Sequence, residues 1–144
     1  MNKGENSMVG FDVRSMKEND LKDIIRLSNN ISPLNNYLLF EKDRCNIIVA
    51  QLNDDVIGYL SFEILSNINF KDSIYINKIL VDEMYRGLGV GHQLMLQVEE
   101  FAKSYGILSS VIVNDRYLDE EELFFYRQGF NLNSNRIYEK KYYN

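Results

Sequence analysis

Tryptophan is missing from this chain of 144 residues, and cysteine, proline and histidine occur once each. A single cysteine, Cys45, excludes an internal disulfide and fits a reducing cytoplasm. One cysteine and one histidine leave too few soft ligands for a zinc centre, so no metal is expected. No apolar run approaches the roughly eighteen residues of a membrane span, so no membrane association is expected either. The opening "MNKGENSM" lacks the apolar core of a signal peptide and reads as a loose arm over residues 1–8. A basic excess is absent as well: 16 lysines and arginines stand against 21 acidic residues, a net charge of −5. That balance argues against a nucleic-acid partner.

What is present is an ordinary globular composition, 45% hydrophobic and 26% charged, and a length suited to one domain over 1–144. "VGFDVRSM" (9–16) alternates as a strand, and "ENDLKDIIRLSNNI" (18–31) carries Leu21, Ile24, Ile25 and Leu27 at helical spacing, with Asn19 or Asp20 as its cap. Pro33 opens a second short helix reaching about Glu41. "NIIVAQL" and "VIGYLSFEIL" form a hairpin across "NDD", "NINFKD" reads as a loop, and "SIYINKILV" (73–81) is the next strand. A long helix follows, with Leu94, Met95, Val98, Phe101 and Ala102 on one face and Gly106 at its end. "LSSVIVN" (108–114), the helix "DEEELFFYRQGF" stopped by Gly129, a small strand near 130–132 and a last strand in "RIYEKKYY" complete the chain. The order predicts an α/β fold, a mixed and mostly antiparallel sheet of six to seven strands with helices on both faces.

Between strand 73–81 and the long helix lies "YRGLGVGHQLM" (85–95), in which three glycines, Gly87, Gly89 and Gly91, alternate with other residues. A dinucleotide fingerprint would need a third glycine where His92 stands, and a P-loop would need a lysine, of which none occurs between Lys78 and Lys103. The absence of an open parallel pattern also disfavours an NAD(P)-binding fold. A glycine loop that opens a helix still aims several main-chain N–H groups one way, with the positive end of the helix dipole behind them. Removing Cβ atoms brings those donors within reach of a ligand, and Arg86 adds a guanidinium suited to phosphate oxygens. A pyrophosphate fits this chemistry. The alternative is a tight connection whose glycines serve only the backbone.

The stretch "ILVDEMYRGLGVGHQLM" resembles the acetyl-coenzyme A signature of the GNAT superfamily of N-acetyltransferases. Its core is Arg/Gln-x-x-Gly-x-Gly/Ala, and Arg86, Gly89 and Gly91 fit it without a gap. "FDVRSMKENDLKDIIRL" is similar to the family's first strand and helix, the 47–64 hairpin to its second and third strands, and "FFYRQGF" to its late helix. The resemblance implies the GNAT fold, with strands four (73–81) and five (108–113) splayed apart around the pantetheine arm. It implies main-chain contacts to acetyl-CoA from Leu80 and Val81. The pyrophosphate would lie on Arg86, Gly87, Leu88, Gly89, Val90, Gly91 and His92, and the Val81 N–H would serve as oxyanion donor. Glu83 and Met84 depart from the residues common before the loop.

Catalysis is less complete in this pattern. The family's general acid is a tyrosine four residues before the glycine of the "GF" pair, and that position is Phe125, which has no proton to give. Tyr126 stands one residue later and is the candidate acid, unless Phe124 and Phe125 are core and Tyr126 is merely a surface ring. An asparagine often found ahead of this helix is replaced by Leu118, and Asn114 lies too early. Many relatives carry a glutamate on strand four where this chain has Asn77, which can orient water but cannot take a proton. Glu63 is a substitute base or a solvated carboxylate. His92, in the first turn at the phosphate end, is a phosphate neighbour or a surface residue. The implied activity is transfer of an acetyl group to a primary amine by direct attack in a ternary complex, the acceptor being a small molecule or a protein or peptide amino group. A non-catalytic acyl-CoA-binding regulatory module is the alternative. Self-association as a homodimer is left open.

Overall fold

In the computed structural model, residues 10–29, 45–67, 70–113, 119–133 and 137–142 are described. The expected arm 1–8, the helix from Pro33, and Asn114 and Leu118 lie outside them. The described elements are β1 (Asp12–Ser15), α1 (Leu21–Asn29), β2 (Asn46–Leu52), β3 (Asp55–Asn67), β4 (Phe70–Val81), α2 (Val90–Ser104), β5 (Ser109–Val113), α3 (Asp119–Arg127), β6 (Asn131–Leu132) and β7 (Ile137–Lys141). The seven strands run in the order β1-β2-β3-β4-β5-β7-β6. β1 is antiparallel to β2 from Asp12↔Gln51 to Ser15↔Ile48. β4 and β5 are parallel, paired at Ile74↔Ser110 and Tyr75↔Val111. β7 lies antiparallel to both β5 and β6. This mixed sheet with three helices is the α/β fold expected from the element order.

Three local readings are corrected. "NINFKD" is not simply a loop: β3 reaches Asn67 and β4 already begins at Phe70. Asn and Asp are poor strand formers, but pairing between neighbouring strands overrides that preference. The helix expected from residue 18 opens as a 3-10 turn, Glu18–Asp20, before α1. Asp20 therefore sits inside the turn; its carboxylate accepts from the Lys17 N–H at 2.7 Å and pairs with Arg14 at 2.7 Å. The first strand, Asp12–Ser15, is shorter than 9–16, although the Met16 N–H still donates to the Ile47 carbonyl at 2.9 Å in the same antiparallel register.

The chain forms two compact units, Met1–Ser61 with Lys78–Leu94, and Phe62–Asn77 with Met95–Asn144. In the first, the apolar face of α1 supplies Ile24 and Leu27, which pack with Ile47, Val49, Val56, Tyr59 and Leu80. Burying the Tyr59 hydroxyl there needs a partner, and Ser28 provides it at 2.7 Å. The second unit is aromatic: Phe125 lies 5.4 Å from Tyr138 and 6.4 Å from Phe130 between ring centroids, and Phe62 meets Phe101 edge-on at 4.9 Å. Its two helix ends are alike. Gly106 and Gly129 take left-handed φ of 71° and 94°. The residue after each glycine donates back five positions, Ile107 to Ala102 and Phe130 to Phe125. None of the helices among the described residues is long and apolar enough to cross a membrane.

Tyr142, hydrogen-bonded to Ser110, gives the second unit an alkaline limit. Burial foremost, against the Ser110 hydrogen bond and with the charge of Glu99, pushes its phenol up from 10.0 to about 12. The folded state therefore holds the proton more tightly than the unfolded chain. The associated stability is complete below pH 10 and is lost as pH rises toward 12, about 2–3 kcal/mol in all. Denaturant unfolding at pH 8 and pH 11.5 should reveal that loss, and Tyr142→Phe should flatten this part of the profile.

Candidate functional site

The end of β4 is fixed before the glycine loop begins. Leu80 is buried in the apolar cluster of the first unit. One residue on, both faces of a single peptide are engaged: the Asp82 N–H donates to the Ile57 carbonyl at 2.8 Å, and the Val81 carbonyl accepts from Arg86 Nε at 3.1 Å. Asp82 then turns the chain. Its Oδ1 accepts the Met84 N–H at 3.0 Å and its carbonyl accepts the Tyr85 N–H at 2.9 Å, closing a 3-10 turn over Glu83–Tyr85. This is the Asp-led turn in which a short carboxylate replaces a carbonyl two residues on. Its other oxygen, Oδ2, lies 3.6 Å from Arg26 Nη1 of α1.

Beyond Arg86 the backbone enters a region that only glycine occupies without strain. Gly87 has φ 80° and Gly89 φ 87°, and a Cβ built on either would have no heavy atom within 4 Å. The glycines are thus required by the dihedrals, and the space in front of them is open. α2 starts at Val90, whose side chain is buried, and the Gln93 N–H closes the first turn on the Gly89 carbonyl at 3.0 Å. The N–H groups of Val90 and Gly91 come ahead of that bond, at the positive end of the helix dipole. A different glycine makes this placement feasible. At Gly58 on β3, a Cβ would stand 3.0 Å from the Leu80 carbonyl oxygen and 3.2 Å from a Val90 methyl.

Leu80 to His92 therefore form one continuous segment of the first unit, with Arg86, Gly87, Leu88, Gly89 and His92 exposed. Leu80 and Val90 are core residues, so only their main chains are available to a ligand. Glu63, Asn77 and Tyr126 fall in the second unit. Glu63 and Asn77 are half-buried on β3 and β4. Phe125 is 1% exposed and belongs to the core, whereas Tyr126 is 49% exposed and sets its ring edge-on to Tyr138 at 5.8 Å. Among the described residues no group of acidic, histidine and cysteine side chains could hold a metal.

Sequence reasoning missed Gly58, Arg26 and Asp82. Asp82 left a trace, an aspartate two residues ahead of the turn donor. Gly58 and Arg26 left none, because their partners lie far along the chain.

Residues 16–130 match the model of a family described as the Acetyltransferase (GNAT) family. No curated protein matches the chain. Among solved structures, the PaiA N-acetyltransferase from Thermoplasma acidophilum, in complex with coenzyme A, is 20% identical with a TM-score of 0.71; the match covers 92% of this chain and 99% of that one. The YhbS GNAT family N-acetyltransferase from Escherichia coli, also in complex with CoA, is 19% identical with a TM-score of 0.73, covering 91% and 81%. The ribosomal-protein-S18-alanine N-acetyltransferase from Escherichia coli is 12% identical with a TM-score of 0.75, covering 92% and 94%. At these identities the likeness is one of fold.

The glycines themselves give a measurable contrast. Gly58→Ala should lower stability by about 1–3 kcal/mol, because a carbonyl must give way to the new methyl. Gly87→Ala meets open space and should cost only the left-handed backbone, about 1–2 kcal/mol. Thermal unfolding checks the sizes, and coenzyme A titration checks whether Gly58→Ala also disturbs the loop.

Proposed function

This chain belongs to the GNAT family of acetyltransferases, and on that premise we propose that it moves the acetyl group of acetyl-CoA to a primary amine by direct attack in a ternary complex. The observation that carries the reading is the open cradle at Gly87 and Gly89, with Arg86 beside it and the start of α2 behind it. A pyrophosphate there would meet main-chain donors from Gly87 to His92 together with the Arg86 side chain, since the Arg86 N–H already donates to the Glu83 carbonyl at 3.5 Å. The Leu80 and Val81 main chain would hold the pantetheine arm. Acetyl-CoA supplies the activated thioester; the protein supplies position and proton management.

Each remaining role falls to a named atom. The Val81 N–H would donate to the acetyl oxygen, where negative charge grows during attack. Tyr126 Oη would hold the proton for the leaving sulfur, a role supported by its exposure and denied to Phe125 by chemistry. The acceptor amine must lose a proton, since an amine near pKa 10.4 is neutral only about once in a few thousand molecules at pH 7. Glu63 is the candidate base, and Asn77 would orient the water between them. The acceptor is a small-molecule amine or a protein or peptide amino group.

Release of free thiol from acetyl-CoA across an amine panel tests the activity. Tight coenzyme A binding with no turnover of any amine would favour a binding module instead. Gly89→Asp should nearly abolish coenzyme A binding by bulk and like charge; an affinity within about threefold of wild type, roughly 0.7 kcal/mol, overturns the cradle. With an acceptor in hand, Tyr126→Phe should lower kcat by about 10²–10⁴-fold while coenzyme A affinity stays unchanged. A variant keeping more than half the rate would leave Tyr126 a surface ring.

A further inference from the structure

Arg26 is a half-exposed arginine in the last turn of α1, far in sequence from the glycine loop, yet its guanidinium is spread over three elements. Nη1 lies 3.6 Å from Asp82 Oδ2 at the end of β4. Nη2 donates to the Val56 carbonyl of β3 at 3.2 Å, and Nε lies 3.6 Å from Asp23 Oδ1 one turn back on α1. Asp23 completes the set by accepting the Val56 N–H at 3.3 Å on its other oxygen. The β3 peptide groups at Val56 are thus gripped from both sides by α1, and the same arginine reaches the carboxylate that shapes the entry to the loop.

Asp82 makes this more than a surface ion pair. An isolated exposed pair is worth about 0–1 kcal/mol to stability. Here the carboxylate has two tasks on two oxygens: Oδ1 closes the turn on Met84, and Oδ2 meets Arg26. Without the cation, Asp82 is free to choose another rotamer, and the 3-10 turn loses the bond that aims it. The residues displaced first would be Arg86 and Gly87, the start of the cradle. An ion pair of little value to folding can therefore have a larger value to binding, because it holds the loop in its bound shape before the ligand arrives.

We infer that Arg26, acting through Asp82, is a positioning residue for the pyrophosphate loop: α1 sets the geometry in which the loop takes coenzyme A. The inference rests on the cradle being the coenzyme A site. It predicts a pattern that general weakening of the fold would not produce. Arg26→Ala should raise the coenzyme A dissociation constant about three- to tenfold. Binding of a pantetheine fragment, which lacks the phosphates, should stay within twofold. In turnover, KM for acetyl-CoA should rise with kcat nearly unchanged.

Asp82→Asn supplies the second arm. Its amide oxygen can still accept from Met84, while the charge that holds Arg26 is gone, so it should reproduce the Arg26→Ala loss. The double variant should bind no worse than either single one, since both remove the same contact. Titration calorimetry on the full chain, with thermal unfolding alongside, reads all of this. Losses that add in the double variant, equal losses for coenzyme A and pantetheine, or coenzyme A affinity within twofold of wild type in both single variants would each overturn the inference. A wild-type protein that binds no coenzyme A would overturn the cradle along with it. Normal wild-type binding with unaffected variants would remove the Arg26 role alone.

Discussion

The Val81–Asp82 peptide is the fixed point from which the rest of the candidate site is measured. Its N–H is held by Ile57 and its carbonyl by Arg86. A peptide clamped on both sides cannot rotate without breaking a main-chain bond, so the strand end, the 3-10 turn and the glycines after it inherit one orientation. The Arg86 contact also divides the labour within that side chain. Nε is committed to Val81, which aims the guanidinium while Nη1 and Nη2 carry the rest of its donors. A lysine has no such fork and would place all its donors on one nitrogen.

Close approach of backbone is the second constraint. β3 comes near enough to β4 and the start of α2 that position 58 has room for hydrogen only, while positions 87 and 89 have room to spare. Both facts concern glycine, and they mean opposite things. At 58 the missing Cβ lets protein meet protein. At 87 and 89 it leaves open space in front of a backbone held at left-handed φ. The second unit is organised differently, around aromatic rings that meet edge-on or tilted. Glu99 there takes both Lys103 and Lys140, at 3.1 and 3.2 Å; burial raises its carboxyl, but the hydrogen bonds and charges of the two lysines together hold it below the usual range.

How much of this was legible in the sequence follows from how local each cause is. The glycine loop, the helix stops at Gly106 and Gly129, and the turn between β2 and β3 depend on residues a few positions apart, and they were readable. The start of β4 was not, because Asn and Asp near residue 68 signal a loop and only the neighbouring strand makes Phe70 extended. Asp20 was read as a cap from its position, but Arg14, six residues earlier, decides where its carboxylate points. The roles of Arg26 and Gly58 depend on partners in other elements, and one sequence holds no record of such pairs. For the same reason the phase of Phe125 and Tyr126 could be counted but not resolved.

That phase has a consequence for how the chain tolerates changes of length. α3 is closed at Gly129 by a bond from Phe130 back to Phe125, so the helix is indexed from its C-terminal end. A change of length ahead of Asp119 leaves that C-terminal bond, and the aromatic face it indexes, unrotated. Only a change between Phe125 and Gly129 can turn that face, and there a single residue moves a side chain by about 100°. Three intervening residues thus act as a ratchet. One residue more or fewer there would shift the outward-facing position by one helical step.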